Sequence, residues 1–173
     1  MTSDELASET SAVADGGVAV SAAAEPYRAD LEAAAQACPG IVTVERLDRL
    51  IEASTGWQTG HTVIGVGPVS VAGSGGPQWE VSGGGDLHDV PTGIRNAGAL
   101  WCDLANTLAA EAVTVSGDVL ALAGSDRDGY AAAVGLGAIV IGTKNVRESG
   151  VDTDLFPEVK PLMHAVFSPS TPV

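Results

Sequence analysis

The chain has 173 residues, of which 22 are Asp or Glu and 8 are Lys or Arg, so its formal net charge at pH 7 is -14. A surface of that sign repels nucleic acids and anionic lipids, and we expect neither a nucleic acid nor a membrane as a partner. This length and an apolar content of 45% are typical of one globular domain with a hydrophobic core.

The acidic excess also bears on the solvent in which the protein works. Lysine occurs only at Lys144 and Lys160, while Ala, Gly, Val and Asp are abundant, as in the products of GC-rich coding sequences. Salt screens the repulsion between like charges, so an acidic surface is also typical of proteins from a salt-rich cytoplasm. The sequence therefore indicates either a halophilic source or a GC-rich source whose protein is acidic.

Cysteine content and the first residues bear on the compartment. Cys38 and Cys102 are the only cysteines, and they form neither a disulfide framework nor a C-x-x-C pair. We expect both to be reduced, buried and helical. The first residues, MTSDELASET, carry acids where a secretion signal has basic residues, and no apolar run reaches the roughly 18 residues of a membrane span. The expected location is cytoplasmic, or a virion if the protein is an assembly subunit.

Composition divides the chain into three parts. Residues 1–24 are Ser, Thr, Ala, Gly and acids without a hydrophobic period, which predicts a flexible acidic arm. Residues 25–150 carry the periodic patterns and are predicted to form a single α+β domain. Residues 151–173 contain four prolines, which predict an extended tail that lies on the surface or on a neighbouring molecule.

Two short helices are predicted at the start of the domain. Pro26 suits a first helical position, and Pro39 with Gly40 stops that helix. Thr43 is predicted to cap the second helix. The apolar face of the second helix is formed by Val44, Leu47, Leu50 and Ile51. The two helices are expected to form a hairpin.

A sheet is predicted next, followed by the strongest helical pattern in the chain. HTVIGVG, PVSVAG and PQWEVSG are β-branched or alternating stretches separated by glycine, which predicts a meander of short antiparallel strands. Apolar or small residues then recur at three- and four-residue spacing, at Ile94, Ala97, Gly98, Trp101, Leu104, Ala105, Leu108 and Ala112. This spacing predicts an amphipathic helix of about five turns that covers the sheet, with Trp101 in the core and Cys102 on its flank.

The segment after the long helix completes the predicted fold. VTVS and VLALAG flank Gly117 and Asp118 as the strands of a hairpin would, and AIVIGT is predicted as a buried strand. Residues 117–143, GDVLALAGSDRDGYAAAVGLGAIVIGT, are similar in rhythm to the strand–helix–strand units of small regulatory α/β domains. That resemblance implies two strands joined by a short helix, and no particular activity. The fold class is thus α+β, a mainly antiparallel sheet covered by one long amphipathic helix, with an N-terminal helical hairpin and flexible ends.

The first candidate site is the loop GGGDLHDVPTG before the long helix. In an extended loop alternate residues project to the same side, so Asp86 and His88 fit two ligands of a metal ion. His88 is also flanked by Asp86 and Asp89, and neighbouring carboxylates make a histidine easier to protonate, which suits acid–base catalysis. A solvated loop in which Asp89 or Thr92 caps the long helix accounts for the same residues.

The second candidate site is GSDRDG, residues 124–129. Asp126 and Asp128 resemble part of a calcium loop, although the third acid and the late Glu of such a loop are missing. If VLALAG and AIVIGT were parallel strands, Arg127 and Lys144 would lie at one edge of the sheet and hold an anion. A cap on the following helix at Asp126 and a solvated Lys144 are the alternative. The catalytic candidates are therefore His88, Asp89, Asp126 and Lys144, and the metal candidates are Asp86, His88, Asp126 and Asp128.

Function must be inferred without a diagnostic motif. The sequence contains no dinucleotide fingerprint, P-loop, G-x-S-x-G or His-Glu-x-x-His, and we expect no cofactor. Three His, two Lys and two Cys are a small supply of acid, base and nucleophilic groups. These features favour a non-enzymatic structural or assembly protein, such as a virion, tail or shell subunit, with protein partners and a homo-oligomeric state. The alternatives are a small hydrolase or lyase with a site near Asp86, His88 and Asp126, and an acidic protein-binding adaptor.

The net charge generates a prediction about stability in salt. Repulsion within a chain of charge -14 opposes folding in dilute buffer, and added salt screens it. The midpoint of thermal unfolding should therefore rise between dilute buffer and molar KCl, when followed by circular dichroism. NaCl at equal ionic strength is the control and should give the same rise, because screening does not depend on the identity of the cation. A midpoint that stays flat or falls in KCl would contradict the prediction.

Overall fold

The structure, a computed structural model, describes residues 19–55, Trp57 and residues 90–168. A 3₁₀-helix over Ala22–Tyr27 leads into the first α-helix. The α-helices of the described residues are α1 (Arg28–Ala37), α2 (Val44–Thr55), α3 (Val90–Ala110), α4 (Gly117–Ala123), α5 (Arg127–Ile141), α6 (Thr143–Ser149) and α7 (Val159–Phe167).

The predicted α+β fold with an antiparallel sheet is wrong, because the described residues form helices and contain no strand. An isolated parallel bridge joins Val115, in the predicted strand VTVS, to Val151. VLALAG forms most of α4, and AIVIGT contains the end of α5, so the hairpin at Gly117 and Asp118 and the strand–helix–strand resemblance are also wrong. The segments HTVIGVG, PVSVAG and PQWEVSG lie outside the described residues.

The misassigned strands have a common physical cause. A helix that is buried on every side carries the same continuous apolar run as a buried strand, so periodicity does not separate the two. In α5 nearly all residues from Gly129 to Ile139 are buried. Its alanines and leucine are strong helix formers, and this composition favours a helix over a strand. In the described part of the chain no single helix is long and apolar enough to cross a membrane, and α5 and α6 meet that requirement only as a pair bent by 120°.

The long amphipathic helix is confirmed as α3, and it packs most extensively on α5. Trp101 has no exposed surface, and its Nε1–H donates a hydrogen bond of 3.0 Å to the carbonyl of Ala132 on α5. At Gly135 of α5 a Cβ atom would lie 2.8 Å from Cδ1 of Trp101 and 2.9 Å from the Cβ of Ala105. Only glycine lets the two helices approach this closely, so Gly135 sets the depth at which Trp101 is buried.

The predicted helical hairpin is confirmed in α1 and α2. The first helix ends at Ala37. Thr43 caps the second, since its Oγ1 accepts a hydrogen bond of 3.1 Å from the backbone N–H of Arg46. Arg49 pairs with Glu45 one turn away at 2.6 Å. The predicted apolar face is buried at Leu47, Leu50 and Ile51.

A buried carboxylate on α2 holds the residues that precede α1. Asp48 is 4% exposed and accepts hydrogen bonds from the backbone N–H of Ser21 at 2.8 Å and from its hydroxyl at 2.9 Å. The indole N–H of Trp57 donates to the same carboxylate at 2.8 Å, and its ring stacks on Tyr27 with centroids 5.8 Å apart. Burying a charge is costly unless it is well hydrogen-bonded, and here three donors meet that need.

The extended tail predicted beyond Gly150 is wrong over Val159–Phe167, which form α7 and pack on α2. Pro161 lies in the first turn of α7, where the backbone N–H has no partner within the helix, so it does not prevent helix formation. Arg49 donates to the carbonyls of Val166, at 3.4 Å, and Ser168 at the carboxyl end of this helix. The guanidinium of Arg46 lies 5.0 Å from the centroid of the Phe167 ring, within the range of a cation–π contact.

Removal of the Trp101 side chain should destabilise the protein strongly. Trp101→Ala leaves a cavity at the crossing of α3 and α5 and removes the hydrogen bond to the Ala132 carbonyl, and a truncation of this kind costs about 3–5 kcal/mol. Urea unfolding followed by circular dichroism gives the free energy of unfolding. Thr107→Ala, at an exposed position on the same helix, is the control and should cost less than about 0.5 kcal/mol. A loss below about 1 kcal/mol for Trp101→Ala would contradict this placement.

Candidate functional site

A disulfide joins the end of the first helix to the middle of the third. Cys38 directly follows α1 and Cys102 lies on α3, and the two sulfur atoms are bonded with their Cα atoms 6.0 Å apart. The bond spans a sequence separation of 64 residues. The prediction that both cysteines are reduced is therefore wrong. No local sequence pattern indicates this bond, because it depends on how α1 packs across α3.

A groove of about 450 Å³ lies between α1 and α3 beside this disulfide. Both cysteines line it, and half of the other lining residues are alanine or glycine, namely Ala33, Ala34, Ala37, Gly98 and Ala99. Asp30, Arg95 and Asp103 supply its charged groups. The volume lies within the range of small-molecule pockets, but the groove is open along the helices.

A second groove, of about 520 Å³, lies between α3 and the start of α5. It shares Ala37, Cys38, Cys102 and Asn106 with the first, so the two grooves meet at the disulfide. We call the two together the α3 groove, because α3 lines it from Pro91 to Ala110. At a rise of 1.5 Å per residue this stretch of helix is roughly 28 Å long.

The charged side chains of the first groove have few partners among the described residues. Arg95 makes one long contact, 3.4 Å from Nη2 to the hydroxyl of Thr92. Within the described residues Asp30, Arg95 and Asp103 take part in none of the ion pairs. In the described part of the chain, these two carboxylates and one guanidinium therefore form no ion pair and can bind charged groups of another molecule.

The second groove contains a fixed hydroxyl rather than a reactive one. The Tyr130 hydroxyl donates a hydrogen bond of 2.6 Å to the carbonyl of Val113. Burial raises the pKa of Tyr130 above its usual value. The phenol therefore stays protonated at neutral pH and ties α5 to the segment after α3, which does not suit the role of a general base.

The predicted site residues at the start of α5 lie close to a turn after α1. The Asp128 carboxylate lies against Gly40, where the Cβ atom of any other residue would overlap it. The φ of Gly40 is +84°, so the close contact and the backbone conformation both favour glycine at this position. Arg46 donates to the carbonyls of Gly40 and Ile41, each at 3.0 Å. Burial lowers the pKa of Arg46, and the carboxylates of Asp126, Asp128 and Glu45 counteract the shift. Asp126 occupies the N-cap position of α5 but its side chain makes no capping hydrogen bond.

The structure does not bring the other predicted residues to this place. Lys144 lies on α6, beyond the opposite end of α5, and this helix of 15 residues separates it from Arg127 by about 22 Å. Lys144 pairs instead with Glu148 at 3.0 Å. The shared edge proposed for Arg127 and Lys144 is therefore wrong, since it required two parallel strands.

The metal candidates fall partly outside the described residues. Asp86, His88 and Asp89 lie there, so their loop stays a prediction. Among the residues that the structure describes, no group of three or more His, Cys, Asp or Glu side chains could hold a metal ion, and Asp126 and Asp128 therefore have no third ligand in that part of the chain.

Comparison with known proteins adds no relative. No protein-family model, curated protein or solved structure matches this chain. Spacing alone does not predict the α3 groove, because small residues in a helical pattern are as typical of a core as of a groove.

The disulfide should contribute substantially to stability. The bond closes a loop with a separation of 64 residues and so lowers the entropy of the unfolded chain. In the chain-entropy model this raises the free energy of unfolding by about 4 kcal/mol. Urea unfolding should therefore shift to lower denaturant concentration when a reductant is added or when both cysteines are replaced, Cys38→Ser with Cys102→Ser.

The doubly substituted chain is its own control, because a reductant should not change its unfolding further. Thiol titration of the denatured, unreduced wild-type chain should find no free thiol. Two free thiols, or a midpoint that the reductant leaves in place, would contradict the bond.

Proposed function

We propose that the protein is a non-enzymatic assembly protein that forms homo-oligomers by packing helices into the α3 groove, as a subunit of a virion, tail or other shell does. The observation that carries the proposal is the α3 groove itself, which lies along a stretch of α3 roughly 28 Å long and has eight alanines and glycines among its twenty lining residues. A helix of about 20 residues has this length. Small side chains allow the axes of packed helices to come close.

The chemistry of the lining favours packing over catalysis. Its polar side chains are carboxylates, guanidinium groups, the amide of Asn106 and the bonded hydroxyl of Tyr130. Both sulfur atoms are in the disulfide and cannot act as nucleophiles. The described lining includes no His, Ser, Thr or Lys side chain. Such a surface suits recognition of a partner by shape and charge.

The disulfide is an argument that the protein works in an oxidising environment. Structural disulfides persist where thiols are not kept reduced, outside the cytosol of most organisms. The Cys38–Cys102 bond holds together the two helices that form the first groove. We therefore replace the expected cytoplasmic location with the proposal that the assembled protein works in oxidising surroundings, as a particle outside the cell would.

Oligomer formation tests the proposed function. Size-exclusion chromatography with light scattering should show a dimer or larger species whose population increases with protein concentration, in both dilute buffer and molar KCl. Ala33→Glu places a charge in the groove and should shift the protein toward monomer. Ala121→Glu is the matched control, at an exposed position on α4 outside the groove, and should leave the oligomer intact.

A strict monomer at every concentration and both salt conditions would overturn the assembly proposal. A monomer whose bound metal is lost in His88→Ala would favour the hydrolase or lyase alternative. A wild-type oligomer that Ala33→Glu does not weaken would show that assembly uses another surface.

A further inference from the structure

Three exposed residues on α3 follow one another at four-residue spacing. Arg95, Ala99 and Asp103 all line the first groove and are all exposed. Positions four apart lie on one side of a helix, about 6 Å apart along its axis. The side of α3 that faces the groove therefore presents a cation, a small side chain and an anion in a row.

An antiparallel copy of the same helix presents these charges in the opposite order, so that each charge faces one of opposite sign. A two-fold axis through Ala99 and perpendicular to α3 would place a second α3 antiparallel to the first. It would bring Arg95 opposite Asp103 of the partner subunit, and Asp103 opposite Arg95 of the partner subunit. Two-fold contacts are the commonest in homo-oligomers, and each heterogeneous pair across such an axis occurs twice.

Both charged groups are available for this pairing. Among the described residues Arg95 has only its long contact with Thr92, and none of them forms an ion pair with Asp103. A guanidinium and a carboxylate can form two parallel hydrogen bonds, which fix direction as well as distance. The pairing would thus give the contact an orientation that an apolar groove alone does not.

The space at the axis also suits a second copy. Ala99 is the residue that would face itself, and Ala33 and Ala37 on α1 line the same groove. None of these side chains extends beyond a methyl group, so two helices can come close there. The adjoining groove of about 450 Å³ can take the longer side chains that flank Ala99 on the partner.

We infer that the elementary contact of the assembly is a two-fold dimer in which α3 packs antiparallel on α3 of a second copy, centred on Ala99 and oriented by two Arg95–Asp103 ion pairs. This inference rests on the proposed function and specifies the partner as the same chain. The contact forms in spite of the net charge of -14 on each protomer, because the ion pairs are local whereas the general repulsion is screened by salt.

Charge reversal separates the ion pairs from the general repulsion. Arg95→Asp makes each chain more negative and Asp103→Arg makes it less negative. If net charge alone governed association, the first would weaken the dimer and the second would strengthen it. If the ion pairs orient the dimer, each single reversal places like charges opposite each other at two places and both weaken it. The double variant, Arg95→Asp with Asp103→Arg, keeps the net charge and re-forms both pairs in reversed order.

Sedimentation velocity at several protein concentrations should measure the dimer dissociation constant of these variants. We expect an increase of about tenfold or more for each single reversal, and a return to within about threefold of wild type in the double variant. Lys160→Asp and Asp154→Arg make the same charge changes at exposed positions outside the groove and serve as matched controls. Circular dichroism should show that every variant is folded.

The other outcomes contradict either the inference alone or the inference together with the proposed function. A wild-type chain that stays monomeric overturns the proposed function and the inference together. An oligomeric wild type whose dissociation constant responds to Arg95→Asp and Asp103→Arg only as it does to the two controls overturns the inference and leaves the assembly function standing. A double variant as weak as the single variants also overturns it, because re-formed pairs should restore the contact.

Discussion

The close crossing of α3 over α5 is the contact on which the rest of the structure depends. At Gly135 the backbone of α5 lies against Trp101 and Ala105, so α3 is held at a fixed depth and rotation. One side of α3 is thereby committed to the core, where Trp101 donates to the Ala132 carbonyl. The opposite side carries the disulfide and the groove, and its orientation follows from the same crossing.

The second helix joins the two ends of the described chain through polar contacts. Asp48 binds Ser21 and Trp57, and Arg49 binds the carbonyls at the end of α7. Hydrogen bonds to charged groups contribute about 1.5–3 kcal/mol each when their partners are buried, so these few contacts compensate for the short length of the elements that they hold. Because α2 is amphipathic, its apolar side stays available for the core while this polar network forms at its edge.

The parts of the fold that could be predicted are those with a polar and an apolar side. The helices α2 and α3 each have one side in contact with solvent and one in the core, so the spacing of their apolar residues indicated them, and Trp101 was placed correctly. The first helix, α1, was indicated by the proline and glycine at its ends. The α5 helix is buried over nearly all of Gly129 to Ile139, so this part has no polar side, and its end was mistaken for a strand. α7 was missed because Pro161 was taken to exclude a helix, although a proline in the first turn does not. The groove and the disulfide arise only when α1 lies across α3, a long-range relation that no local pattern in the sequence encodes.

The covalent connection between Cys38 and Cys102 has a consequence for proteolysis. The bond makes a closed ring of the intervening chain, which includes α2 and the first part of α3. A protease that cuts one peptide bond within the ring converts it to an open chain but releases no fragment, because the sulfur bridge still joins the two pieces. Cleavage there would go unnoticed on a non-reducing gel, and the surfaces of α1 and α3 that form the groove would remain attached to each other until the bridge is reduced.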